Sequence, residues 1–231
     1  MSTETLWQAA HETLAISDQT ALDALAQAAK YRTLAPGNAI ICQDDASDHV
    51  CIILSGDARV VLLSESGQEV WVDVMQAGAI LGEIAALTGV KRTSSIIADN
   101  DVVLASYTAP VFMGLMEQHS TLAICLARIL AERVSQTTRR MFAISSLSAP
   151  GRAFAELLRM STAKDGQSSR FITPVPSLTD LAQRIDTTRE TVSRAVSKLQ
   201  KRGLLIRHED GLELLDPEQI TRLLSRMGNS R

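Results

Sequence analysis

The chain has 231 residues, 45% of them hydrophobic, which sets one or two domains with enough apolar material for a real core. Its three cysteines (Cys42, Cys51, Cys125) and four histidines (His11, His49, His119, His208) follow no zinc, haem or iron–sulfur spacing, and its apolar runs are shorter than a membrane span. The net charge of −3 hides a division: residues 1–149 carry 9 Lys/Arg against 16 Asp/Glu, net −7, while residues 150–231 carry 14 against 10, net +4. An acidic half joined to a basic half suggests a sensor joined to a nucleic-acid binder. The opening MSTETLWQAAHETLA has no basic stretch leading into an apolar one, so no secretory signal and a cytoplasmic location are expected.

A helical pattern over residues 18–30 comes first. Residues 31–107 then read as short strands: HVCIILSG, ARVVLLS, EVWVDVM and SSIIA. Turn signals at Pro36-Gly37, Ser55-Gly56, Ser66-Gly67 and Ala77-Gly78 punctuate them. Short strands at this spacing predict a small β-barrel or sandwich.

Within this region LGEIAALTGVKRTSSII looks ready for burial, yet it keeps Glu83, Arg92 and Thr93. A buried carboxylate and a buried guanidinium are costly without partners. One reading is an internal Glu83–Arg92 ion pair. The other is a small-anion site. Arg92 then gives a charge-assisted bond to a phosphate and Thr93 adds its hydroxyl. Gly82 lets the backbone from Gly82 through Ile84 to Ala85 come close, and Glu83 accepts from a sugar hydroxyl.

Residues 110–145 carry apolar side chains every three or four positions, among them Leu122, Leu126, Ile129, Leu130, Val134, Met141 and Ile144. Such a stripe exceeds what a small barrel can cover, so a coiled-coil-like seam between two copies is expected. Polar Arg133 and Thr137 within it argue against a dry core packed only within its own chain.

After ISSLSAPG, Ser148 is placed to cap a new helix with Pro150 in its first turn. GRAFAELLRMST, the loop KDGQSSR, the extended FITPVP, then SLTDLAQRID and TTRETVSRAVSKLQKRG follow. LLIRHEDGLELLD reads as a hairpin turning at Asp210-Gly211. Two short helices and a hairpin spell a winged helix-turn-helix. In its second helix Val192, Ala195, Val196 and Leu199 share one face, and Arg189, Glu190, Ser193, Arg194 and Ser197 the other. Thr187 or Thr188 is the candidate cap, and Gly203 ends the helix. Arg189 and Arg194 suit guanine O6 and N7, and Glu190 suits cytosine N4. Thr188, Lys198, Lys201 and Arg202 are better placed for phosphates. The alternative for Glu190 is the acid of a Thr187-x-x-Glu190 capping box.

SLTDLAQRIDTTRETVSRAVSKLQKRGLL resembles the helix-turn-helix of the cyclic-AMP receptor protein–Fnr (Crp/Fnr) superfamily of transcription regulators. R-E-T-V-x-R is similar to the recognition core of the cyclic-AMP receptor branch. Ser193 leans toward the E-x-x-S-R of the Fnr branch, which bears on the operator rather than on DNA binding. LGEIAALTGVKRTSS resembles the phosphate-binding cassette of cyclic-nucleotide-binding domains, with Arg-Thr where the best-known members have Arg-Ser. The resemblance spans residues 31–224. It implies an α+β protein: a jelly-roll β-barrel over 1–109, a dimerisation helix and hinge over 110–147, and a winged helix-turn-helix over 148–231. It implies Arg133 near Glu83, and Thr137 and Thr138 meeting the purine, one from each subunit. The implied effector is cyclic AMP (cAMP), with cyclic GMP or cyclic di-GMP, or ligand-independent DNA binding, as alternatives. The implied partners are a second copy, a palindromic DNA site and RNA polymerase. No nucleophile–base pair, metal spacing or Walker-type loop points to an enzyme.

Overall fold

The computed structural model describes residues 7–8, 14, 16, 18–46, 48–64, 69–163, 168–173 and 175–227. The turn expected at Ser66-Gly67, residues 164–167 of the expected loop and Pro174 of FITPVP lie outside the described residues. The chain divides into two compact units, Met1–Arg133 and Val134–Arg231.

In the first unit, helix α1 (Gln19–Ala28) starts at Asp18, whose side chain accepts from the backbone N–H of Thr20 and Ala21 at 3.0 and 3.3 Å. Eight strands follow: β1 (Lys30–Leu34), β2 (Ala39–Ile41), β3 (His49–Ser55), β4 (Ala58–Leu63), β5 (Glu69–Met75), β6 (Ile80–Leu81), β7 (Ser95–Ala98) and β8 (Val102–Thr108). They form two antiparallel four-stranded sheets, ordered β1-β8-β3-β6 and β2-β7-β4-β5. The jelly-roll expectation is met as a two-sheet sandwich.

β3 shows why the sequence there is apolar without alternation. Its Cys51 and Ile53 enter the core between the sheets, with Ile41, Val60, Leu81, Ile96 and Leu104. Its Val50, Ile52 and Leu54 enter a second core, built with Leu22, Leu25, Phe112, Leu122 and Leu126 from the helices. A strand covered on both faces needs apolar residues at every position.

Between β6 and β7 lies a short helix, α2 (Glu83–Thr88), where sequence periodicity suggests none. The long helical pattern expected within 110–145, from Leu122 to Ile144, lies on α4 (Ser120–Ser146), and a separate helix, α3 (Ala109–Gln118), precedes it. The chain leaves helical geometry at His119 (φ −123°, ψ 89°), whose N–H still donates to Leu115 O. The apolar stripe of α4 changes character along its length. Leu122 and Leu126 are buried, whereas Val134, Met141, Phe142 and Ile144 are 51–71% exposed.

The second unit holds α5 (Ala149–Met160), β9 (Thr162–Ala163), β10 (Arg170–Ile172), α6 (Leu178–Arg184), α7 (Arg189–Lys201), β11 (Leu205–Arg207), β12 (Leu212–Leu214) and α8 (Pro217–Met227). Ser148 holds the cap position of α5, but its side chain makes no capping bond. The expected hairpin is β11–β12, widened by β10 and β9 into a sheet ordered β11-β12-β10-β9. Phe154, Leu157, Leu181, Val192, Ala195, Leu199, Leu205, Leu214 and Ile220 make its core. Among the described residues no helix is long and apolar enough to cross a membrane.

Candidate functional site

The cassette residues gather at the junction of β6 and α2. Gly82 has φ +80°, and a Cβ there would sit 2.2 Å from Arg92 Nη1 and 3.0 Å from His49 O. Only glycine meets both demands, the left-handed backbone and the close approach. Arg92 is 3% exposed. Its Nη1 donates to Gly82 O at 2.9 Å and its Nη2 to His49 O at 2.6 Å. Its backbone is fastened to the loop before β3, with Arg92 N to Asp45 O at 3.0 Å and Asp44 N to Arg92 O at 2.9 Å.

The charge balance is informative. A guanidinium offers five N–H donors. Neutral carbonyls take two of them here, and the nearby described carboxylate is the exposed Asp48, 3.8 Å from Nη2. The expected alternative, a Glu83–Arg92 ion pair, does not form. Glu83, 2% exposed, pairs instead with Arg133 of α4. Arg133 also donates to Ile80 O at 2.8 Å, which fixes this turn of α4 to the end of β6. Burial pushes the Glu83 carboxyl above its ordinary pKa, and the pull of Arg133 only partly offsets this.

Of the other cassette positions, Ala85 is buried, and Ile84 and Thr93 are exposed. Thr137 and Thr138 are exposed on α4, one turn beyond Arg133, and Thr138 Oγ1 bonds back to Val134 O at 2.9 Å. They belong to the second unit, and the remaining cassette residues to the first. Asp48 and His49, which abut Arg92, carry no sequence signal beyond an acid beside a histidine at a strand start.

In the second unit Thr188 caps α7, its Oγ1 accepting from Thr191 N at 3.3 Å. The third helical position is therefore Thr191, so Glu190 is not the acid of a capping box. Val192, Ala195 and Leu199 are buried, while Arg189, Glu190, Arg194 and Lys198 are exposed and Ser193 half-buried. Ser193, Arg194, Ser197, Lys198, Lys201 and Arg202 line an open groove of about 510 Å³. Four cations and no carboxylate on one groove suit a polyanion.

The turn before α7 is held by Arg152 of α5, which donates to Ile185 O and Asp186 O, both at 2.8 Å. Asp186 takes a left-handed conformation (φ 49°) to turn the chain. Buried Glu156 receives two bonds from Arg159, at 2.9 and 2.7 Å, and lies 3.5 Å from Arg184 of α6. Burial works to raise the Glu156 pKa, but Arg159, Arg140 and Arg184 together hold it below the ordinary value.

A β-sandwich with a buried arginine hydrogen-bonded to main-chain carbonyls, and a winged helix with a basic exposed face, suit a small-ligand sensor domain carried with a DNA-binding domain. Comparison with known proteins agrees. A cyclic nucleotide-binding domain profile matches residues 31–119 and a Crp-like helix-turn-helix profile matches residues 151–223. The chain is 23% identical over 188 residues to a CRP-like cAMP-activated global transcriptional regulator of Mycobacterium tuberculosis, covering 80% of this chain and 84% of that one. It is 28% identical over 169 residues to the cyclic AMP receptor protein of Thermus thermophilus, covering 73% and 76%. The solved structure of CLP, a c-di-GMP responsive global regulator of Xanthomonas campestris, matches its fold with a TM-score of 0.70 at 19% identity, over 86% of this chain and 99% of that one. The two profiles, side by side over most of the chain, place it in the Crp/Fnr superfamily of transcription regulators. Its members are regulators rather than enzymes.

Proposed function

We propose that the protein is a homodimeric regulator whose binding to a palindromic DNA site is gated by cAMP. The buried Arg92 guanidinium carries this reading, because its hydrogen bonds go to two main-chain carbonyls and its ion-pair neighbour, Asp48, is exposed and 3.8 Å away. A cyclic phosphodiester supplies a negative charge within direct hydrogen-bonding reach of the remaining N–H donors. Thr93 adds its hydroxyl to the phosphate, and Ile84 and Ala85 supply backbone N–H groups from the start of α2. Glu83, oriented by Arg133, accepts from the ribose hydroxyl. Thr137 and Thr138 meet the purine from the two copies of α4.

The exposed apolar stretch of α4, from Val134 to Ile144, supports a seam between two copies. Two copies would present their α7 helices to half-sites about one DNA turn, roughly 34 Å, apart. Arg189 and Arg194 then read guanines and Glu190 a cytosine. Thr188, Ser193 and Lys198 hold the backbone. RNA polymerase is the further partner, and the cytoplasm the place of action.

Isothermal titration with cAMP, cyclic GMP and cyclic di-GMP tests the choice of effector. We expect cAMP to bind tightest. Binding of cyclic di-GMP alone would move the protein to the sensing class named for CLP. Operator binding indifferent to all three would make it a ligand-independent regulator.

A further inference from the structure

Arg92 has two neighbours that the effector reading leaves without a task. Asp48 Oδ1 lies 3.8 Å from Arg92 Nη2, and the same oxygen bonds His49 Nδ1. One carboxylate oxygen is thus shared between the effector-site guanidinium and an imidazole. The backbone of the pair is well held. Asp48 O accepts from Ala109 N at 3.1 Å, and His49 O accepts from Arg92 Nη2. The two side chains differ in freedom: Asp48 is 78% exposed and His49 27%. The alternation of β3 sets His49 on the face of Cys51 and Ile53, which looks between the sheets, and His49 Nε2 is buried.

We propose that Asp48 and His49 form a proton-controlled guard on the Arg92 anion site, in which the Asp48 carboxylate competes with the effector's phosphodiester and a protonated His49 ring draws that carboxylate away. This rests on the cyclic-nucleotide reading of the site. With His49 neutral, Asp48 keeps its full negative charge beside Arg92, where an incoming phosphodiester meets repulsion and a rival for the same donors. With His49 protonated, Asp48 is matched by the ring, and the site as a whole gains one positive charge. Effector binding therefore takes up protons, and affinity rises as pH falls.

The surrounding groups favour the protonated ring. Cys51 and the Asp48 carboxylate hold the His49 pKa above its ordinary value against the opposing effect of burial. His49 in turn, with a smaller contribution from Arg92, holds Asp48 below its own. Of the other charged groups here, Glu83 pairs with Arg133, while Asp44 and Asp45 meet Arg92 through main-chain bonds that do not engage their carboxylates. Cys51 shares a contact with Ser106 Oγ at 3.2 Å.

The test is titration of cAMP, in two buffers of different protonation enthalpy, into the full chain and into His49→Gln and Asp48→Asn. The wild type should bind about three- to tenfold tighter at about pH 6 than at about pH 7.5, with net proton uptake. His49→Gln should bind at both values like the wild type at the higher pH. Asp48→Asn, at an exposed position where the fold tolerates change, should bind tighter than the wild type at the higher pH and with a shallower pH dependence, since only the charge of the His49 ring itself then acts on the site. An unaltered pH slope in His49→Gln, or Asp48→Asn binding no tighter than the wild type at the higher pH, would overturn the guard while leaving the effector site standing. No binding at any pH by any of the three would overturn both.

Discussion

Gly82 and Arg189 show what a single residue decides. At Gly82 a methyl group would have to occupy the place of the Arg92 guanidinium. Gly82→Ala should therefore shift Arg92 as well as strain the backbone by about 1–2 kcal/mol. We expect a lowered melting temperature together with effector affinity weakened about tenfold or more, the second measured by calorimetry. A loss of stability with undiminished affinity would separate Gly82 from the site. Arg189 is the first residue of α7 and exposed. Arg189→Ala should cost about 1–3 kcal/mol of operator binding and relax discrimination at one base pair, read by competition with single-substitution operators. Uniform weakening on all sequences would make Arg189 a phosphate contact. These positions were legible in the sequence, because Gly-Glu and Arg-Thr stand out in an apolar stretch and a charged face stands out on an amphipathic helix. The partners of Arg92 were not. His49 lies 43 residues away along the chain, and a backbone carbonyl leaves no mark on residue type.

At the scale of elements, α4 is fastened to the sandwich through Arg133, which bonds both Glu83 and Ile80 O. Arg133→Leu would strand a buried carboxylate, a change that costs on the order of 3 kcal/mol. The sign with pH follows from Glu83. Its folded pKa is raised, so the folded state prefers the protonated acid, and the stranded charge is relieved as pH falls through that value and felt above it. Melting of Arg133→Leu should accordingly lose most against the wild type at neutral pH and converge with it in acid. A deficit independent of pH would mean lost packing instead. Strand-forming runs in the sequence marked β3, β4, β5 and β7, and periodicity marked most helices, but β1, β2, β6 and β8 went unnamed within the expected strand region. Periodicity missed α2, whose six residues are too few to show a helical repeat. It also missed α8, although Asp216, whose side chain accepts from Gln219 N, followed by Pro217, is a helix-start signal. The break at His119 has neither Gly nor Pro to announce it.

At the scale of the whole molecule, the division between an acidic and a basic half was plain in the composition and corresponds to a sensor and a DNA reader. What couples them is a matter of populations. An effector shifts a two-state balance only by its differential affinity, and moving the DNA-competent fraction from about 1% to about 99% takes roughly 5.5 kcal/mol in all. In the proposed dimer two effector sites would share that demand. The measurement that bears most directly on this is fluorescence anisotropy of a labelled operator, with and without saturating cAMP, for the wild type and Arg92→Leu. Arg92 is predicted to be the residue through which the effector acts, so cAMP should tighten operator binding by the wild type. It should leave Arg92→Leu, shown to be folded by circular dichroism, at the effector-free affinity. If Arg92→Leu responds to cAMP as the wild type does, the buried guanidinium is not the effector's anchor and the sensing account fails.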